Sequence, residues 1–369
     1  MRIVIKIGTS TIPHPTGRLN IRQMEALCKV LSDLKNAGNE VILVSSGAIG
    51  MGVGKLRLGK KPVDVPTKQA SAAVGQCELM YTYDKLFSEY RHTVAQILLT
   101  ADDIADPARH ENFQNTIQRL LELDAIPIIN ENDTVSVAEF GIGDNDTLSA
   151  IVATSVQADL LLLLSDIDGL YTANPHEDPT AEFVPVVHKI DAKIIASAGD
   201  SSTSVGTGGM ITKIRASRIL MTAGIQSVIC SGEEPDALVR LARGESVGTL
   251  FDPPAERLDI APRKLWIALG DKAHGSVTVD DGAAKALVSR GSSLLAVGIR
   301  QVNGEFAEGD VLDVCDPSGM VVARGIAEAD SDVLELAAGR RQDQIASNRL
   351  LADLAEKPAI HRDNLIVFA

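Results

Sequence analysis

The five consecutive leucines from Leu160 to Leu164, closed by Ser165 and Asp166, constrain the fold more than any other stretch of this chain. A run this short and apolar on both faces suits a strand covered on both sides, as in a parallel sheet between helices. Residues 3–7, 41–44, 93–98, 126–129, 159–164 and 227–230 all read as strands of that kind. Helical patterns lie between them. Asn20 can cap a helix with Ile21, Met24, Leu27, Leu31 and Leu34 on one face, ended by Gly38. This alternation predicts a three-layer α/β/α domain over residues 1–260.

The texture changes after Gly248-Thr249-Leu250-Phe251. Asp252-Pro253-Pro254 opens a polar linker that runs to Pro262. Beyond it, segments 276–279, 311–315, 320–326 and 333–336 alternate in short apolar runs broken by Gly and Asp, which predicts a small β-rich domain over residues 274–353. A length of 369 residues matches two domains, and 45% hydrophobic residues suffice for a core in each.

Composition excludes several classes. No apolar run approaches the roughly 18 residues that cross a bilayer. Met1-Arg2-Ile3-Val4-Ile5-Lys6 passes directly into a strand pattern, so the expected location is the cytosol. Cys28, Cys77, Cys230 and Cys315 form no C-x-x-C pair and are expected to be free thiols. The seven histidines show no ligand spacing, which argues against structural zinc. A net charge of −14 argues against a dedicated nucleic-acid binder. It suits an anionic substrate only where cations are concentrated locally.

Such places are the glycine-rich junctions that follow strands: Lys6-Ile7-Gly8-Thr9-Ser10, Ser45-Ser46-Gly47-Ala48-Ile49-Gly50-Met51-Gly52 and Gly206-Thr207-Gly208-Gly209-Met210. Glycine lets backbone N–H groups approach phosphate oxygens, and a helix starting there adds its positive end. One such loop means little, whereas three in one domain, two with a lysine in reach, point to phosphate chemistry. The common alternatives fail. Gly54-Lys55 lacks both the upstream glycine and the downstream hydroxyl of a P-loop, Gly50-Met51-Gly52 leads to Lys55 rather than a third dinucleotide-binding glycine, and no H-R-D or D-F-G is present.

Lys6-Ile7-Gly8-Thr9-Ser10, Val44-Ser45-Ser46-Gly47-Ala48-Ile49, Asn130-Glu131-Asn132-Asp133, Gly143-Asp144-Asn145-Asp146 and Gly206-Thr207-Gly208-Gly209-Met210-Ile211-Thr212-Lys213 closely resemble the amino-acid kinase family, in particular its glutamate-phosphorylating members. Bacterial members of that branch also carry a C-terminal PUA domain, so the resemblance covers nearly the whole chain. It implies transfer of the γ-phosphate of ATP, supplied as Mg-ATP, to the side-chain carboxylate of L-glutamate in proline biosynthesis. It also implies a homo-oligomer, dimer or tetramer, and feedback inhibition by proline.

The roles follow partly from chemistry. A glutamate carboxylate is ionised at neutral pH and attacks phosphorus without a general base. Fixed positive charge and positioning must therefore supply the catalysis. The resemblance gives Lys6 and Lys213 to the ATP phosphates and the transition state, with backbone donors from Gly8, Gly47 and Gly209. Asp146 is expected to cap the helix beginning near Thr147 and, by resemblance, to orient both lysines. Ser46, Asp133 and Asn145 match the family's substrate residues. Asp133 suits the substrate ammonium, while hydroxyl and amide donors suit its α-carboxylate. Ser165, Asp166 and the segment Thr207, Gly208, Gly209, Met210, Ile211, Thr212 and Lys213 match its nucleotide contacts, with Ser165 where relatives often have Thr. Magnesium is held largely by phosphate oxygens, and no protein ligand for it is identified. The resemblance places Lys68 to Gln76 beside the substrate site, where proline feedback acts.

A sister kinase acting on acetylglutamate, aspartate or carbamate is the nearest alternative, and the two Asn/Asp-rich motifs with the C-terminal domain speak against it. An RNA-binding PUA protein is the alternative of another class. Residues 274–353 carry 7 Lys/Arg against 13 Asp/Glu, with Phe306 the sole aromatic, so neither a basic face nor a stacking platform is expected.

Overall fold

The leucine run is a strand with every residue buried, in the middle of a large sheet. In the computed structural model the described residues are 1–8, 19–136, 144–175, 177–198, 209–253, 264, 267–268, 273–348, 351, 354 and 357–368. The chain divides into two compact units, Met1–Asp259 and Ile260–Ala369. In the first unit the strands are β1 (Arg2–Ile7), β2 (Glu40–Ser45), β3 (Val94–Leu99), β4 (Ile126–Glu131), β5 (Leu160–Ser165), β6 (Leu170–Tyr171), β7 (Phe183–Val184), β8 (Val186–Val187), β9 (Gln226–Ser231) and β10 (Thr249–Phe251). The helices are α1 (Ile21–Asn36), α2 (Ala48–Leu56), α3 (Val65–Ser88), α4 (Ala101–Ala105), α5 (Pro107–Glu122), α6 (Asn145–Ser155), α7 (Ala192–Ser197), α8 (Met210–Thr222) and α9 (Asp236–Ala242).

The main sheet runs β3-β4-β2-β1-β5-β9-β10-β8. Its first six strands are mutually parallel, and β10 pairs antiparallel to β9. Strand alternation sorts the two faces. Ile3, Ile5 and Ile7 of β1 pack with Met24, Leu27 and Leu31 of α1 and with Leu79 and Tyr83 of α3. Lys6 therefore lies on the opposite face, where α6 and α8 pack. Every residue of α6 from Asp146 to Ser155 is buried. Its hydroxyls make that burial tolerable by bonding within the helix, Ser149 Oγ to the Asp146 carbonyl at 2.7 Å and Thr154 Oγ1 to the Ala150 carbonyl at 2.8 Å.

The sheet order reverses at β1, with β2, β4 and β3 on one side and β5 and β9 on the other. In open α/β sheets a ligand crevice forms at the carboxyl ends of strands beside such a switch point.

The second unit holds the sheet β12-β11-β13-β14-β15, with β11 (Gly275–Val279), β12 (Ile299–Asn303), β13 (Val311–Cys315), β14 (Val321–Ile326) and β15 (Leu365–Val367). It also contains α10 (Asp281–Arg290), α11 (Ser331–Ala337) and α12 (Gln342–Ala346), and has its own apolar core. Two expectations need correction. Residues 333–336 form part of α11, because Leu334 and Ala337, three apart, are buried while Leu336 is exposed. The expected end at residue 353 falls short of β15, which pairs antiparallel with β14. Among the described residues no helix is long and apolar enough to cross a membrane. All four cysteines are free.

Candidate active site

Among the helices of the first unit that begin near the carboxyl ends of strands, α2, α6 and α8 have N-termini that differ. Asp144 caps α6 with its carboxylate, accepting from Thr147 N at 2.8 Å. Gly47 and Gly209 stand at the caps of α2 and α8 and provide no side-chain cap. The first-turn N–H groups of α2 and α8 are thereby left for an external acceptor, with the helix dipoles behind them. Gly47 adopts φ 105°, a conformation that strongly favours glycine. Ser46, beside it, ties β2 to β1 through its N–H on the Ile7 carbonyl at 3.1 Å.

The expected capping role of Asp146 is overturned. Asp146 is the second residue of α6, and Asp144 does the capping. The Asp146 carboxylate is released to face β1 and α8. Lys6 Nζ lies 2.7 Å from its Oδ1, Lys213 Nζ 3.2 Å from its Oδ2, and Thr212 Oγ1 donates to Oδ2 at 2.6 Å. Exposure is 1% for Asp146, 7% for Lys6 and 5% for Lys213. Burial alone would raise the Asp146 carboxyl, but the adjoining Lys6 and Lys213 ammoniums outweigh it and hold the group down to about 2. Asp144 is displaced upward, first by burial and then by the Asp146 charge. Two buried ammoniums share one carboxylate at the center of this cluster, where water is scarce.

On the β4 side the charge balance is opposite. Asp133 sits in the turn after β4, and burial followed by repulsion from Glu131 pushes its carboxyl up to about 6. Asn145, the first residue of α6, donates from Nδ2 to Asn130 Oδ1 at 3.0 Å, and Asn130 Nδ2 donates to Gln76 Oε1 at 3.0 Å. Asn130 and Gln76 escaped the sequence reading of individual roles. Asn130 belongs to the quoted Asn130-Glu131-Asn132-Asp133 segment, whereas Gln76 looks like any polar residue of an amphipathic helix.

A cavity at the ends of β5 and α8 is lined by Ser165, Asp166, Tyr171, Gly209, Met210 and Lys213 among others. Ser165 Oγ donates to Asp166 Oδ1 at 3.1 Å. Of the other expected nucleotide contacts, Ile211 is exposed and Thr212 turns to Asp146. Gly8 is buried directly after β1. Thr207 and Gly208 lie outside the described residues, as do Thr9, Ser10, Gly143 and Gly206. No group of three His, Cys, Asp or Glu side chains is placed to hold a metal ion among the described residues.

The amino acid kinase family profile matches residues 1–231, and the PUA domain profile matches residues 275–347. The glutamate 5-kinase of Carboxydothermus hydrogenoformans is 48% identical over 368 residues, covering 99% of this chain and 97% of the relative. Those of Caldanaerobacter subterraneus subsp. tengcongensis and Moorella thermoacetica are each 46% identical, over 367 and 366 residues, covering 100% and 99% of this chain and 98% and 96% of the relatives. With both profiles matched and relatives this similar over the full length, the chain belongs to the amino acid kinase family and groups within it with the glutamate 5-kinases.

Proposed function

We propose that this enzyme transfers the γ-phosphoryl group of ATP to the side-chain carboxylate of L-glutamate, forming L-glutamyl 5-phosphate and ADP as the first step of proline biosynthesis. The observation that carries the reading is the pair of buried lysines on one buried carboxylate, at the end of the strands and beside two glycine-started helices. A carboxylate oxygen attacks phosphorus, the bond to the ADP oxygen breaks, and no proton is transferred. The barrier is the approach of one anion to another and the spread of charge over the transferring oxygens. Lys6 and Lys213 meet that charge, and Asp146 keeps both ammoniums aimed at it. Backbone N–H groups at Gly8, Gly47 and Gly209 complete the cradle.

Ser46, Asp133 and Asn145 take the glutamate. Asp133, on which Glu131 is the charge that acts among the described residues, answers the substrate's ammonium, and Ser46 with Asn145 answers the α-carboxylate. Ser165, Asp166 and the segment from Thr207 to Lys213 take the nucleotide. Magnesium arrives on the phosphates as Mg-ATP. The reading extends to a cytosolic location, a homo-oligomer and proline feedback.

The test is ADP release and hydroxylamine trapping of acyl phosphate with Mg-ATP and a panel of acidic amino acids. L-Glutamate is expected to give both, and aspartate and N-acetylglutamate far less. Equal rates with N-acetylglutamate would overturn the assignment, because its amide leaves Asp133 no ammonium to recognise. Proline titration and sedimentation in the same preparation test the regulatory and assembly parts.

A further inference from the structure

Gln76 is 8% exposed, and its Nε2 is buried without a hydrogen-bond partner among the described residues while its Oε1 accepts from Asn130. An unsatisfied buried donor costs about 1–3 kcal/mol, so a fold that keeps one gains something else from the residue. What it gains here is direction. Asn145 donates to Asn130, and Asn130 donates to Gln76, so the three carboxamides run with one polarity. Gln76 ends that chain as an acceptor. The chain spans α3, β4 and the first residue of α6, joining a helix that packs on the β1 face opposite Lys6 to a residue given to the substrate.

The far end of the chain is rigidly held. Gly75 crosses α2 so closely that a Cβ there would collide with the Ala48 carbonyl oxygen and the Gly52 nitrogen. A Cβ on Gly52 would likewise strike the Ser71 carbonyl oxygen. This crossing pins α3 to the helix whose cap follows Ser46. A second tie, Gln69 Nε2 to the Ser136 carbonyl at 3.3 Å, holds α3 to the segment after Asp133. Gln76 therefore presents its carbonyl from a fixed backbone.

We propose that Gln76 is a positioning residue for the amino-acid substrate: through Asn130 it sets the orientation of the Asn145 carboxamide, and so the affinity for glutamate rather than the rate of phosphoryl transfer. The inference rests on the glutamate-kinase reading and on Asn145 touching the substrate. Breaking the chain frees Asn130 and Asn145 to rotate, and the substrate must then reorder them on binding.

The experiment measures kcat and both KM values by acyl-hydroxamate formation for the wild type, Gln76→Met and Gln76→Glu, with melting temperatures recorded alongside. Methionine fills the same space and accepts no comparable hydrogen bond, whereas glutamate keeps the acceptor for Asn130 Nδ2. Gln76→Met is expected to raise the glutamate KM about tenfold with kcat within about twofold and the ATP KM unchanged, the size of one lost hydrogen bond. Gln76→Glu is expected to recover most of that loss. A glutamate KM equal to wild type in Gln76→Met overturns the proposal. So does a parallel rise of the ATP and glutamate KM values with a lowered melting temperature, which marks a purely structural role. A wild-type protein that traps no acyl phosphate from glutamate would instead overturn the function proposed above.

Discussion

Asp146 and Asp133 are both withdrawn from water within one unit, yet their surroundings drive them in opposite directions. Around Asp146 two lysines outnumber the carboxylate, and its carboxyl is held down to about 2. Around Asp133 the charge that acts on it among the described residues is another carboxylate, Glu131, and burial with that repulsion brings its carboxyl up to about 6. The first region holds two ammoniums on one carboxylate in advance of any ligand. The second sets two carboxylates, Asp133 and Glu131, against each other. An amino acid lying across both, ammonium toward Asp133 and side-chain carboxylate toward Lys6 and Lys213, relieves each imbalance with the other end of one molecule. Under the proposed function, this contrast gives turnover to the first region and substrate affinity to the second.

The largest effect that would break this division concerns Lys213. Lys213→Ala is expected to lower kcat on the order of a hundredfold or more with little change in the glutamate KM, since the lost charge acts mainly on the transferring phosphoryl group. Steady-state hydroxamate kinetics check it. A change in KM alone would move Lys213 from catalysis to binding.

The matching change on the other side is Asp133→Ala. Loss of a charge-assisted contact to the ammonium is expected to raise the glutamate KM roughly 10- to 100-fold while kcat falls much less. If kcat collapsed and KM held, the two regions would have exchanged roles.

Acid sharpens the comparison at smaller amplitude. Asp133 with a carboxyl near 6 takes up its proton as pH falls from 7 to 5, so kcat/KM for glutamate is expected to drop about tenfold over that window. Asp146, near 2, stays ionised throughout it. Stability moves with opposite signs. The raised carboxyl of Asp133 binds its proton more tightly in the folded chain, so its contribution improves as pH falls through 6. The depressed carboxyl of Asp146 stabilises above its ordinary value of 3.8, and that contribution is lost as pH falls toward 2. A pH profile for Asp133→Asn that keeps the wild-type drop would sever the link to this residue.

Removing the second unit should matter least. Every described residue given a role lies in Met1–Asp259, and the second unit has a core of its own. A chain of residues 1–260, shown to be folded by circular dichroism, is expected to phosphorylate glutamate within about twofold of the full chain. A folded but inactive truncation would mean that the second unit completes the site or fixes an assembly the site needs.

Much of this architecture is legible in the sequence. The six parallel strands coincide closely with the apolar runs, because a strand covered on both faces announces itself by composition alone. The helix after Asn20 was legible from its cap and spacing, and Asn20 Oδ1 accepts from Gln23 N at 3.2 Å. The second unit was less legible. Its strands are short, and a two-turn helix such as α11 shares with a strand the same few apolar residues.

The sequence by itself determined the periodicities, the glycine-rich junctions after strands, and the presence of two lysines and several Asx residues beside them. It could not decide which carboxylate of Asp144-Asn145-Asp146 would cap α6 and which would be free to hold lysines, because all can bond a helix N-terminus. Only the fold settles that: β1 presents Lys6 on the face covered by α6, and α8 brings Lys213 and Thr212 to the same carboxylate. The amide chain from Asn145 to Gln76 was equally hidden. Apolar patterning is a local property of the chain, whereas the partner of a buried polar group depends on which elements the crossovers bring side by side.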